Sequence, residues 1–94
     1  MRIEWLREAL RNLDEEAAFI AKDNPDAVRH VVERVYEAVQ SLERHPNIGR
    51  PGRVPGTREL VVAGTPYLVP YRVQGEAVEV LRVFHTARRT PKRW

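Results

Sequence analysis

The chain reads as a single α+β domain spanning residues 1–94. Its element order is β-α-α-β-β-β, with an N-terminal helical hairpin packed on a small antiparallel sheet. Three observations predict this. Apolar residues recur every three or four positions through the first 45 residues. A stretch rich in Pro and Gly follows. After it come three short apolar runs separated by turn residues. A length of 94 residues suits one domain with one modest core.

The elements follow in order. Met1 to Trp5 suits a brief edge strand, with Ile3 between Arg2 and Glu4. Leu6, Leu10, Leu13, Ala17 and Ile20 make one stripe, so a helix is predicted over Leu6–Lys22. Asp23-Asn24-Pro25 breaks it, with Asn24 suited to cap the next helix and Pro25 to fill its first position. Val28, Val31, Val32, Val35, Val39 and Leu42 form the second stripe. Pro46 disfavours helix at His45, so that helix ends near Arg44. The short link makes the pair an antiparallel hairpin.

Pro46 to Gly56 is predicted as loop, ending in the turn signal Pro55-Gly56. Strands follow at Arg58–Ala63, Tyr67–Val73 and Ala77–Phe84. Gly64-Thr65-Pro66 and Gln74-Gly75 are the turns between them. Such short connections imply a meander. Pro70 removes one ladder donor and so belongs at a bulge or an unpaired side. The third run is apolar on both faces, which marks a central strand. Thr86 to Trp94 reads as an irregular basic tail.

Composition narrows the class. Hydrophobic residues at 43% and charged residues at 31% fit a folded, soluble chain rather than a disordered or membrane-bound one. No cysteine is present, which removes disulfides and thiolate metal sites. Met1 to Leu10 carries Arg2, Glu4, Arg7 and Glu8 and lacks the apolar run of a signal peptide, so a cytoplasmic location without membrane contact is expected. Charge is unevenly divided. Residues 1–45 hold 7 Lys/Arg against 10 Asp/Glu, whereas residues 46–94 hold 9 against 3. A half with that basic excess attracts nucleic acid or an acidic protein segment. It also keeps sheet edges soluble, which is the plainer explanation.

His30, His45 and His85 are far apart and have no ligand-type partner at helical spacing, so no metal site and no cofactor are expected. Gly49, Gly52 and Gly56 precede a strand rather than a helix, which argues against a phosphate cradle. Ser41 lies in a helix and has no nucleophile-elbow context. What remains is an arginine set, Arg50, Arg53, Arg58, Arg72 and Arg82, continued by Arg88 and Arg89 in the tail, with His85 at a strand end. Arginine suits bidentate contact with phosphate or carboxylate. Tyr67 and Tyr71 have the area to pack a core and the rings to stack on bases. His85 suits either acid–base chemistry or a hydrogen-bonded strand terminus.

Three runs resemble the RelE/ParE toxin superfamily of type II toxin–antitoxin modules. They are Gly49-Arg-Pro-Gly-Arg-Val-Pro-Gly-Thr-Arg-Glu-Leu-Val-Val, Pro66-Tyr-Leu-Val-Pro-Tyr-Arg-Val and Val80-Leu-Arg-Val-Phe-His-Thr-Ala-Arg-Arg. Trp5 and the hairpin extend the likeness to nearly the whole chain. The resemblance implies a growth-arresting toxin neutralised by a cognate antitoxin. It also implies one of two targets, DNA gyrase for ParE-like members or the ribosome and its mRNA for RelE-like members. In the RNA-cleaving members a catalytic arginine sits early in the strand matched by Tyr67–Val73, where this chain has Tyr67 and Leu68. A RelE-like reading therefore assigns catalysis to Arg58, Arg72 and His85. The Tyr-Leu-Val-Pro-Tyr-Arg-Val run is more ParE-like. On that reading the arginines, with His85, form the surface that meets gyrase or the antitoxin.

Overall fold

The computed structural model describes residues 1–87. Among them are strand β1 (Arg2–Trp5), helix α1 (Arg7–Asp23), helix α2 (Ala27–Gln40) and a 3-10 turn at Ser41–Glu43. Then come strands β2 (Arg50–Pro51), β3 (Arg58–Val61), β4 (Tyr67–Gln74), β5 (Ala77–Val80) and β6 (Phe84–His85). The strands form one sheet in the order β1-β5-β4-β3-β2, with β6 pairing to β4 beyond β5. Both helices cover one face.

Two expectations about the sheet are corrected. It is mixed rather than wholly antiparallel, because β1 runs parallel to β5, Ile3 opposite Val78 and Trp5 opposite Val80. After the helical hairpin the chain runs through β3 and β4 before β5; β3 and β5 are each antiparallel to β4 and so share one direction, and β1 lies along β5 in that direction. In addition, the stretch expected to be all loop contains β2, which pairs Arg50 with Glu59 and Pro51 with Arg58. Prolines and glycines hid a strand of only two residues.

Pro70 explains a third difference. The expected strand Ala77–Phe84 is split in two. Tyr71 pairs with Val80, while Leu68 pairs with Phe84, so β6 carries one residue more than the β5 register allows. The interruption at Leu81–Val83 lies beside Pro70, whose carbonyl still accepts the Leu81 N–H at 2.9 Å. Pro70 has no N–H to return, and a bulge forms where the ladder lacks that donor. The Val83 N–H is instead taken by Asn12 Oδ1 of α1 at 3.2 Å.

The helices run close to their expected ends. In α1 the buried position is Ala9, while Leu10 is exposed, because the small residue allows close approach to the sheet. Pro25 and Asp26 form a turn before α2 instead of its first residues, and the Ala27 N–H donates to the Asn24 carbonyl. Val35, Val39 and Leu42 are fully buried against Leu60, Val62, Val69, Tyr71, Val78 and Val80. Each such side chain contributes on the order of 2 kcal/mol by leaving water.

Strand alternation sets the rest. Tyr67, Val69 and Tyr71 point to the helices, whereas Leu68, Pro70 and Arg72 point to the opposite face, which is open at Arg72 although Leu68 and Pro70 are buried there. Glu59 and Glu79 share that open face by register with Pro70 and Arg72.

Candidate functional site

The expected arginines separate into three settings. Arg58 is on the helix side of β3, opposite Tyr71. Its guanidinium donates to the Gly49 carbonyl at 2.8 Å and the Asn47 carbonyl at 3.3 Å. Beside it, the Gly49 N–H donates to the Tyr71 hydroxyl at 2.9 Å, and that hydroxyl donates to the Pro46 carbonyl at 2.7 Å. Arg58 and Tyr71 together pin the Pro46–Gly49 segment to the sheet.

Tyr71 is completely buried, and burial pushes its phenol above the ordinary value of 10.0. The Gly49 hydrogen bond and the nearby Arg58 charge pull back against that rise. Because the folded value lies above the unfolded one, the fold keeps this contribution at all pH below the unfolded value. It loses the contribution as pH rises through the folded value. Phenolate also cannot donate to Pro46. We therefore expect wild-type stability to fall above about pH 10. In Tyr71→Phe that drop should shrink, with a loss of about 1–3 kcal/mol already present at neutral pH. Urea unfolding of both proteins across pH checks this, and parallel pH curves would refute it.

The second setting is the open face. Glu59 is only 4% exposed, the sole buried charged residue among the described residues. One carboxylate oxygen accepts from Arg50 Nε at 3.2 Å, and the other accepts the Arg53 backbone N–H at 3.0 Å. Arg53 Nε lies 3.5 Å from that second oxygen. The loop that brings Arg53 over Glu59 is closed by the Gly52 N–H, which donates to the Thr57 carbonyl at 2.8 Å. Further along the same face, Arg72 donates through Nε to Glu79, and Arg2 donates through Nε to Glu4 at 2.8 Å. Glu4 and Glu79 are register neighbours across β1 and β5.

The third setting is the sheet end near the helices. Arg82 donates to Glu8 of α1 at 2.7 Å. His85 packs edge-on against Tyr67, ring centroids 5.4 Å apart, and its Nδ1 accepts the Ala87 N–H at 3.1 Å. The Tyr67 hydroxyl donates to Glu16 at 3.2 Å. Tyr67 and His85 line a pocket of about 230 Å³ together with Phe19, Ile20, Asp23, Asn24, Val31 and Pro66.

Arg58, Arg72 and His85 are thus not brought together. Arg58 and Arg72 lie on opposite faces of the sheet, and His85 stands at the far end of β4, opposite Tyr67. Arg50, Arg53 and Arg72 do share the open face. Arg88 and Arg89 lie outside the described residues. No group of three or more His, Cys, Asp or Glu side chains among the described residues is placed to hold a metal ion. No helix among them is long and apolar enough to cross a membrane.

Sequence reasoning missed the glutamates. A signal existed in the turn. The two-residue connection is Gly75-Glu76, with Gly75 at φ 62° and no positive φ at Glu76, as a type II′ hairpin requires. That register puts Arg72 opposite Glu79. A turn placed one residue earlier, at Gln74-Gly75, puts Arg72 opposite Ala77 and conceals the pair.

The comparisons with known proteins agree with this architecture. Residues 3–90 match the family model described as ParE toxin of type II toxin–antitoxin system, parDE. The Y4kP protein of Sinorhizobium fredii is 50% identical over 91 residues, covering 97% of this chain and 94% of that protein. The toxin RelE2 of Caulobacter vibrioides is 32% identical, covering 93% of this chain and 97% of that one. Among solved structures, a chain of the chromosomal ParDE toxin–antitoxin system from P. aeruginosa superposes with a TM-score of 0.84 at 30% identity. That match covers 90% of this chain and 95% of the other. A chain of the RelBE2 toxin–antitoxin complex from Mycobacterium tuberculosis gives 0.59 at 30% identity, covering 89% and 95%.

Proposed function

The chain belongs to the ParE toxin family of type II toxin–antitoxin systems, and we propose that it arrests growth as a non-catalytic inhibitor of DNA gyrase, held in check by a cognate antitoxin. The observation that carries this reading is the separation of Arg58, Arg72 and His85. Cleaving RNA by activating a ribose 2′-OH needs acid–base and cationic groups converging on one phosphate. Here Arg58 is engaged by the Asn47 and Gly49 carbonyls, Arg72 by Glu79, and His85 by Ala87 and Tyr67. Tyr67 and Leu68 stand where cleaving members carry their arginine.

The structural neighbours are themselves toxin–antitoxin systems, which supports an antitoxin partner. Its disordered tail folds on binding across the helical hairpin, where Leu10 and Tyr36 are exposed, and onto the open face at Arg50, Arg53 and Arg72. The apolar side of an amphipathic segment suits the hairpin, and its acidic side suits the arginines of the sheet.

Purified toxin added to a gyrase supercoiling reaction should abolish supercoiling or trap cleaved DNA in a dose-dependent way. Unaffected gyrase at every dose, with transcripts cut in arrested cells and spared by His85→Ala, would transfer the protein to the ribosome-dependent class.

A further inference from the structure

We propose that Glu79, with Glu4 beside it, keeps RNA off the open face of the sheet, so that this face selects protein over polyanion. The inference rests on the reading of the chain as a toxin with a protein target, and it names residues that enforce that choice.

Among the described residues of the basic half, Arg58 turns to the helix side of the sheet and Arg82 to Glu8 of α1, which leaves Arg50, Arg53 and Arg72 to the open face. The open face gathers Arg2, Arg50, Arg53 and Arg72 over Glu4, Glu59 and Glu79: Arg2 and Arg72 each meet a carboxylate of their own, while Arg50 and Arg53 share Glu59, which leaves one net positive charge at that end. For Glu59 and Glu79 the acids lie beneath the bases. The Glu79 side chain is 19% exposed against 45% for Arg72. A carboxylate so placed is poorly screened and cannot swing away when a phosphate approaches.

RNA affinity depends on the number of cations that replace counterions along the backbone. An arginine already neutralised from below brings almost no such charge. It still offers directed N–H donors, which suit the few carboxylates of a protein partner. Glu4 and Glu79 are neighbours across two strands, so together they cancel the charges of Arg2 and Arg72 over the middle of the face. Glu79→Gln keeps the shape and the hydrogen bond but releases the Arg72 charge.

Anisotropy of a labelled single-stranded RNA, titrated with the full chain at several salt concentrations, tests this. Glu79→Gln should bind about fivefold tighter than wild type at about 100 mM salt, with a log–log salt slope steeper by about 0.7. Adding Glu4→Gln should tighten binding again. Arg72→Gln in the Glu79→Gln background should return affinity to the wild-type level, and Glu79→Asp, which keeps the charge, should not gain RNA binding.

Unchanged affinity and slope in folded Glu79→Gln overturn the proposal, as does a gain that survives loss of Arg72. If Glu79→Gln fails to fold, the single Glu4→Gln variant decides by the same two readouts, Glu4 being on the better-exposed pair. Gyrase inhibition is measured separately on the wild type. Its failure alongside an RNA gain rejects the target alone; an absent RNA gain alongside working inhibition rejects this inference alone.

Discussion

Gly49→Ala is expected to lower the unfolding free energy by about 2–3 kcal/mol, although the residue lies in an irregular segment and has an unstrained φ. The reason is crowding. An added Cβ would stand 2.7 Å from Tyr71 Cε1, 2.7 Å from its hydroxyl oxygen and 2.9 Å from the Glu59 carbonyl oxygen. Tyr71 is fully buried and its hydroxyl is fixed at both ends by Gly49 and Pro46, so the ring cannot retreat. Relief has to come from shifting β3 or from releasing the Pro46–Gly49 segment, which also frees the acceptors of Arg58. Gly56→Ala is the contrast. Gly56 has φ 82° and nothing within 4 Å of an added Cβ, so only backbone strain of about 1 kcal/mol is expected. Urea unfolding of both variants separates the mechanisms. Equal losses, or a larger loss at Gly56, would refute the packing account.

Glu59→Ala should cost about 2–3 kcal/mol and loosen the loop from Arg50 to Thr57. Breaking a buried ion pair often costs more. Here the Arg50 and Arg53 side chains are 59% and 39% exposed and can return to water, which reduces the penalty. What cannot be recovered so easily is the acceptor of the Arg53 N–H, which holds the loop over the sheet. Denaturant unfolding measures the total. Amide exchange at Arg53 and Thr57 shows whether the loop opens first. A variant within about half a kcal/mol of wild type would show that Glu59 merely fills space.

Much of the fold was legible because its signals are local. The stripes ending in Val35, Val39 and Leu42 required a surface to cover, and Pro70 signalled a missing ladder donor, which the structure meets with a bulge in the neighbouring strand at Leu81–Val83. The site was less legible because it depends on register. Arg72 and Arg50 look like free cations in the chain. Their partners, Glu79 and Glu59, are set by a hairpin whose turn is shifted by one residue and by a strand of only two residues. Arg58 is similar. Nothing near it in sequence shows that its side chain turns inward to the Asn47 and Gly49 carbonyls. The parallel placement of β1 also has no local signature, since it joins residues at opposite ends of the domain.

That placement constrains how the molecule comes into being. Val80 is synthesised about 75 residues after Trp5, the residue it lies opposite. At the usual pace of a translating ribosome they are separated by about 4–15 s. Until Ala77–Val80 emerge, β1 has no neighbour, β4 lacks one of its flanks, and Val35 and Val39 have only part of their floor. Nascent chains that stop short of β5 therefore cannot close the core. A pairing of such long sequence separation also slows folding after release. The toxin thus acquires its surface only once β5 has been synthesised, a delay written into its strand order.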